Sequence, residues 1–171
     1  MMVDSNALRQ TMRQWVTGVT IVTSVADGRR GGMTVSSFTS VSLEPPTVLV
    51  CLNKTTFTHD LVQKSKIFAI SLLGVGQEEI SNRFAGFDPS ILDHDQRFEG
   101  VEVATGATGA DLIVGAIGWL DCRVTATHDT TTHTVFFGEV IYAHAPLDRA
   151  PLVYYNRNYQ VMTPVEQPQK P

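Results

Sequence analysis

The feature that most limits what this chain can become is a succession of strand-like runs with few helices between them. Val19 to Val25, Gly32 to Leu43, Thr47 to Asn53, Ile67 to Leu73, Leu112 to Thr127 (with a possible break near Gly115 and Gly118) and His133 to Ala145 are rich in β-branched and aromatic residues. Turn signals separate them: Asp27-Gly28 reads as a hairpin, Pro45-Pro46 as a break in the ladder, and Thr130 to Thr132 as a reversal before the return strand. Helical spacing shows only in short pieces. Leu8, Met12, Trp15 and Val16 predict a helix that Asp4 or Ser5 starts and Gly18 ends; Thr56 to Ser65 predicts a second, with Leu61 and Val62 inward; Gln77 to Phe84 predicts a third. These helices are too few and irregular for a βαβ series. The expected fold is therefore mainly β, a barrel with a few flanking short helices rather than a doubly wound sheet. Gly86 to Gly100 reads as a loop or irregular helix, and Pro151 to Tyr159 as a final strand or extended segment.

With 171 residues and no internal repeat, the chain suits one domain, placed at 1–162, with a frayed tail at 163–171. Net charge is −4 and no basic stripe occurs, which argues against nucleic acid. The longest apolar run, Leu112 to Leu120, is too short to span a bilayer, and the N-terminus lacks a signal-peptide pattern. The expectation is a cytoplasmic protein, with Cys51 and Cys122 as reduced thiols in apolar strands.

The most informative stretch is GMTVSSFTSVSLEPP, Gly32 to Pro46. At period two, Met33, Val35, Val41 and Leu43 share one face, while Thr34, Ser36, Phe38, Ser40 and Ser42 share the other. Small hydroxyls, where a solvated face would carry Lys and Glu, let a ligand approach the backbone and still find hydrogen bonds. The segment Cys51-Leu52-Asn53-Lys54-Thr55-Thr56-Phe57-Thr58 ends a strand and opens a helix with an amide, an ammonium and further hydroxyls. It offers a seat for phosphate, or else simple capping by Thr55 or Thr58 beside a solvated lysine. Together the two segments suit a flavin, a broad apolar plate with a polar edge and a phosphate tail. Other chemistries fit less well. GVGQEE, Gly74 to Glu79, sets two carboxylates where a dinucleotide fingerprint needs room for pyrophosphate. His128, Asp129 and His133 could meet on zinc only if the turn folded both rings inward. Ser36 or Ser37 lacks a nucleophile elbow.

Beyond this, the sequence resembles the flavin reductase family, which supplies reduced flavin to two-component monooxygenases. The matching pieces are MRQWVTGVTIVTS, GMTVSSFTSVSLEPPTVLVCLNKTTFT, IFAISLL, NRFAG, RFEG, DCRV, HTVFFGEV and PLVYYNRNY, in order along nearly the whole chain. The resemblance implies an FMN-binding split barrel, a homodimer, FMN or FAD as flavin, NADH as hydride donor, and a partner monooxygenase reached by diffusible reduced flavin. It implies that Thr34, Val35, Ser36 and Ser37 follow the flavin ring and ribityl chain. Cys51, Leu52, Asn53 and Lys54 would border ring and tail, Thr58 would reach the phosphate, and Phe84 would lie beside the ring. His133 would position the nicotinamide, and Arg157 and Tyr159 would lie near the pyridine nucleotide. One departure is Thr131-Thr132, where the family has Gly-Asp before the histidine. The alternative reading is a flavin-holding barrel that carries electrons without turnover.

Overall fold

The computed structural model describes residues 3–91, 93–145 and 148–163. In chain order the elements are α1 (Ser5–Met12), β1 (Thr17–Gly18), β2 (Thr20–Ala26), β3 (Arg29–Val35), β4 (Phe38–Leu43), β5 (Pro46–Asn53), α2 (Phe57–Ser65) and β6 (Ile67–Leu72). There follow α3 (Glu78–Ala85), a 3₁₀ turn (Asp95–Phe98), β7 (Val103–Thr105), β8 (Asp111–Ile113), β9 (Gly118–Asp129), β10 (His133–His144), β11 (Val153–Tyr155) and β12 (Asn158–Gln160).

Seven strands form one antiparallel sheet in the order β3-β2-β6-β9-β10-β5-β4. Its two edge strands, β3 and β4, are neighbours in the chain, joined only by Ser36 and Ser37. In a flat sheet those edges would lie roughly 29 Å apart, six gaps of about 4.8 Å. The three steps from Val35 to Phe38 reach at most about 11 Å. The sheet must therefore roll until its edges nearly meet. They do not pair, and the result is a split barrel, the architecture expected from the sequence. On the β4 side of the split the β4–β5 ladder runs on one residue past Phe38–Val50: the Cys51 N–H donates to the Ser37 carbonyl at 3.0 Å and the Ser37 hydroxyl donates to the Cys51 carbonyl at 2.8 Å.

The opening segment is thus not one strand with two faces. Met33 and Val35 turn inward on β3, but Val41 and Leu43 on β4 are exposed. The alternation continues through Ser36-Ser37 while the chain crosses from one edge to the other, so the face is lost. Pro45-Pro46 does not interrupt a ladder either: it closes the hairpin in which Leu43 pairs with Pro46.

The barrel interior is filled by Val22, Val50, Leu52, Phe68, Ile70 and Phe136, with Val62 of α2 packed against them. A second cluster, including Ile21, Leu73, Phe84, Phe98 and Leu152, lies beneath α3 and the 3₁₀ turn. Gly32 makes this possible: a Cβ there would stand 2.7 Å from Cε1 of Phe84. The Asp27-Gly28 turn has both residues left-handed, as a two-residue hairpin requires.

Asp4 caps α1, accepting the Asn6 N–H at 3.3 Å, but the helix stops at Met12 instead of reaching Gly18. Thr17 and Gly18 are recruited as β1, paired with Tyr154 and Val153 of β11. Pro151 to Tyr159 proves to be a hairpin, with Asn156 and Arg157 both left-handed at its tip. Of the expected tail, all beyond Thr163 lies outside the described residues. Among the described residues no helix is long and apolar enough to cross a membrane.

Candidate functional site

The split exposes Ser36, and three clefts meet on that residue. One, of about 250 Å³, lies between Thr34 to Ser36 and the residues Ser81, Phe87, Tyr154 and Tyr159. A second, of about 350 Å³, has Trp15, Phe38, Leu72 and Leu152 in its walls. A third, of about 290 Å³, takes in Arg13, Trp15, Asn156 and Arg157. The edge at Ser36 carries nothing bulkier than a hydroxymethyl group, while the opposing walls carry aromatic rings. A flat molecule can slide in and meet main chain on one side and apolar surface on the other.

Thr34 does not leave its hydroxyl free: it donates to the Ser81 carbonyl at 2.6 Å and ties β3 to α3. Tyr159 closes the same cleft from β12. Its hydroxyl donates to Asn82 Oδ1 at 2.7 Å and lies 2.9 Å from Ser81 Oγ. Val35 is buried but contributes to the cleft wall. Ser37 is committed to the Cys51 tie, so Ser36 is the hydroxyl that faces the open space.

Beyond the tie runs the end of β5. Cys51 is half-buried, and burial pushes its thiol pKa up. Asn53 pairs with His133 of β10, and its Oδ1 accepts both the N–H and the hydroxyl of Thr55, each at 2.9 Å. Lys54 donates to the Thr130 carbonyl at 2.8 Å and lies 3.3 Å from Asp129 Oδ1. Hydrogen bonding from Thr134 and then Lys54 holds the Asp129 carboxyl below its ordinary value. The half-buried His133 ring has Nδ1 2.8 Å from the Thr132 hydroxyl. Thr131-Thr132 therefore builds a turn that braces the ring from the preceding residue. The Thr56 hydroxyl, rather than that of Thr55 or Thr58, caps α2, accepting the His59 N–H at 3.3 Å. The first-turn N–H groups of Phe57 and Thr58 have no intrahelical acceptor, as at any helix start.

Three expected residues stand elsewhere. Phe84 is wholly buried beneath Gly32, in edge-to-face contact with Phe98 at 5.0 Å, so its ring meets no open space. The exposed aromatic at that point is Phe87. Leu52 points into the barrel core, leaving only its backbone at the border. Thr58 is buried, and the hydroxyls accessible at the helix start belong to Thr55 and Thr56. Arg157 is exposed at a hairpin tip beside the third cleft. Ser81, Phe87 and Tyr154 are further residues of the site, and Asp129, weighed in the sequence as a metal ligand, enters it as the partner of Lys54. Of the first three only Tyr154 carried a signal, alternating out of step with the core residue Val153. Among the described residues no group of His, Cys, Asp and Glu could hold a metal, so His128 and His133 do not converge on one.

The donor set and shape fit a flavin. Short side chains line the split, aromatic walls face it, and an ammonium with free helix N–H groups lies past the Ser37–Cys51 tie. A family model described as flavin reductase like domain matches residues 12–163. The chain belongs to the flavin reductase family. Among relatives of this flavin reductase chain, an FMN reductase (NADH) of Ancylobacter novellus is 37% identical over 154 residues, 90% of this chain and 83% of that one. The reductase component of an FADH(2)-dependent resorcinol hydroxylase from a Rhizobium species is 37% identical, covering 91% and 86%. Among solved structures, an NADH:FAD oxidoreductase of Streptomyces globisporus in complex with NAD and FAD fragments superposes with a TM-score of 0.85 at 34% identity, covering 96% and 98%.

Proposed function

We propose that residues 1–162 form one NADH-dependent flavin reductase domain, which passes reduced FMN or FAD to a partner monooxygenase. The observation that carries the reading is the split at Ser36, a polar strip of main chain facing aromatic walls with an ammonium and a helix start farther along. The bound flavin supplies the redox chemistry by accepting hydride from NADH. What the chain supplies is position. Ser36 and the β3 edge admit the plate close to the backbone, and Tyr154, Tyr159 and Phe87 bound its far side. Lys54 and the N–H groups at the start of α2 receive the phosphate tail. His133, braced by Thr132, and Arg157 and Tyr159 would hold the nicotinamide in place for hydride transfer. No acid or base is needed for the transfer itself, which agrees with a site built of hydroxyls and amides.

The grip on phosphate is modest, one lysine that already has Asp129 as a partner, and this suits a product that must leave. The working form is a homodimer. The reaction belongs in the cytoplasm, where NADH is regenerated and both thiols stay reduced. The test is to mix purified protein with NADH and either flavin. Loss of NADH absorbance that depends on added flavin is expected. A protein that holds flavin and never consumes NADH overturns the reading in favour of an electron carrier.

A further inference from the structure

A chain of polar contacts runs from the interior of α2 to the lysine at the rim. His59 is buried, 8% exposed, against the edge of Phe136 at 5.4 Å. Its Nδ1 lies 3.2 Å from Asp60 Oδ1 and its Nε2 lies 2.9 Å from the Thr134 hydroxyl. Thr134 donates to Asp129 Oδ1 at 2.7 Å, and the same carboxylate oxygen is 3.3 Å from Lys54 Nζ. Asp60 is the charge that faces the ring directly. Asp129 and Lys54 stand one hydroxyl beyond. Charges on the neighbouring β2–β3 hairpin are engaged elsewhere, Asp27 with Lys64, Arg29 on the Phe57 ring and Arg30 with Asp95.

The protons can be counted. A hydroxyl has one proton, and that of Thr134 goes to Asp129, so Nε2 must donate to Thr134. Asp60 is also an acceptor, so Nδ1 must carry a proton too. All contacts are satisfied together only by the imidazolium. A neutral ring has a single N–H. It keeps that proton on the charged acceptor, Asp60, where the bond is stronger. Nε2 then becomes an acceptor, Thr134 turns its proton back toward it, and Asp129 loses a donor. Lys54 is the partner left to that carboxylate.

We propose that His59 is a positioning residue whose protonation, relayed through Thr134 to Asp129, decides how firmly Lys54 is withheld from the flavin phosphate. The proposal rests on the placement of Lys54 at the phosphate given above. With His59 protonated, Asp129 shares its charge between Thr134 and Lys54 and holds the lysine loosely, at 3.3 Å; with His59 neutral, Asp129 loses the Thr134 donor and holds Lys54 more firmly. Phosphate affinity therefore falls when His59 gives up its proton, and the span to search is about pH 5 to 8, where histidine side chains as a class change charge. The phosphate of FMN gains charge over the same range and pulls the other way, which the controls below separate.

The experiment measures the affinity for FMN relative to riboflavin across that range, with nitrogen-15 imidazole spectra of His59 recorded in parallel. The natural protein should lose about fivefold of its FMN preference, the worth of one ordinary hydrogen bond, relative to the Thr134→Val protein. Thr134→Ser, which keeps the hydroxyl, should restore the natural profile. Asp129→Asn, at an exposed residue that folding tolerates, should flatten the profile and raise FMN preference at high pH. The His59 Nε2 resonance should move in Thr134→Val, which takes away its hydrogen-bond partner, and not in Thr134→Ser. If Lys54→Met leaves FMN preference unchanged, the placement of Lys54 fails and the proposal with it. If Lys54→Met loses that preference but Thr134→Val and Asp129→Asn keep the natural profile, the His59 relay alone is overturned.

Discussion

Two adjacent serines show how much rests on single side chains. Ser37 is a tie, bonded twice to Cys51 of the neighbouring strand β5, whereas Ser36 faces the space where three clefts meet. A Ser36→Trp change should fill that space without touching the tie. Flavin turnover should fall at least tenfold, while thermal unfolding moves little; normal turnover in that protein would move the flavin away from the split. The two cysteines differ as well. Cys122 is fully buried in the barrel core, and burial, with Asp121 beside it, pushes its thiol up to about 12. A thiol raised in the folded state stays protonated there while the unfolded chain ionises. The unfolded chain then binds fewer protons, so stability is full below the ordinary thiol range and falls as pH rises from that range toward 12. The slope from this group is about 1.4 kcal/mol per pH unit. Denaturant titrations at several alkaline pH values should show it, and Cys122→Ala should remove that part of the slope even though the substitution lowers stability at neutral pH.

At the scale of elements, the long strands were legible and the junctions were not. β5 and β10 alternate because each has one face against the barrel interior, β2 and β6 are buried on both faces and were legible as short apolar runs, and Asp27-Gly28 announced its turn through residues that accept a left-handed backbone. The strands β7 and β8 are three residues each, too short for any period to register. The Asn156-Arg157 turn escaped notice because arginine is an unusual left-handed residue. The site was legible as a composition, hydroxyls followed by Asn53-Lys54, but not as a geometry. Nothing local says that Phe84 goes under Gly32 while Phe87 stays out, since that depends on where α3 crosses β3. The β11–β12 hairpin is an element whose hold on the body can be tested. Its attachment includes β1 and the Tyr159 hydroxyl on α3. Tyr159→Phe should cost about 1 kcal/mol in urea unfolding, and amide exchange should quicken over residues 153–160. Unchanged exchange there would mean that packing of Tyr154 on Tyr159 and the pairing with β1 suffice to hold the hairpin.

For the whole molecule, the question is what covers α1. It has eight residues and buries none of them, with Leu8 58% and Met12 53% exposed, and the residues that follow it, Trp15 and Val16, are 66% and 54% exposed. A helix this short is marginal in water on its own. The other end of the exposed apolar surface is β4, an edge strand with Val41 and Leu43 turned outward, and unpaired edges of this kind invite a partner. Trp15 also lines two of the clefts that meet at Ser36, so whatever covers α1 stands beside the flavin site. A second copy of the chain, as in the homodimer proposed above, would answer all three facts: it would shelter α1, cover the β4 edge and complete the wall of the cleft. Sedimentation of the natural protein should give a dimer at micromolar concentration. A Leu8→Glu, Met12→Glu double variant should sediment as a monomer, retain the barrel's strand signature in circular dichroism, and bind flavin at least tenfold more weakly. A natural protein that is monomeric under these conditions, yet reduces flavin at full rate, would show that one chain makes a complete site and that α1 is held some other way.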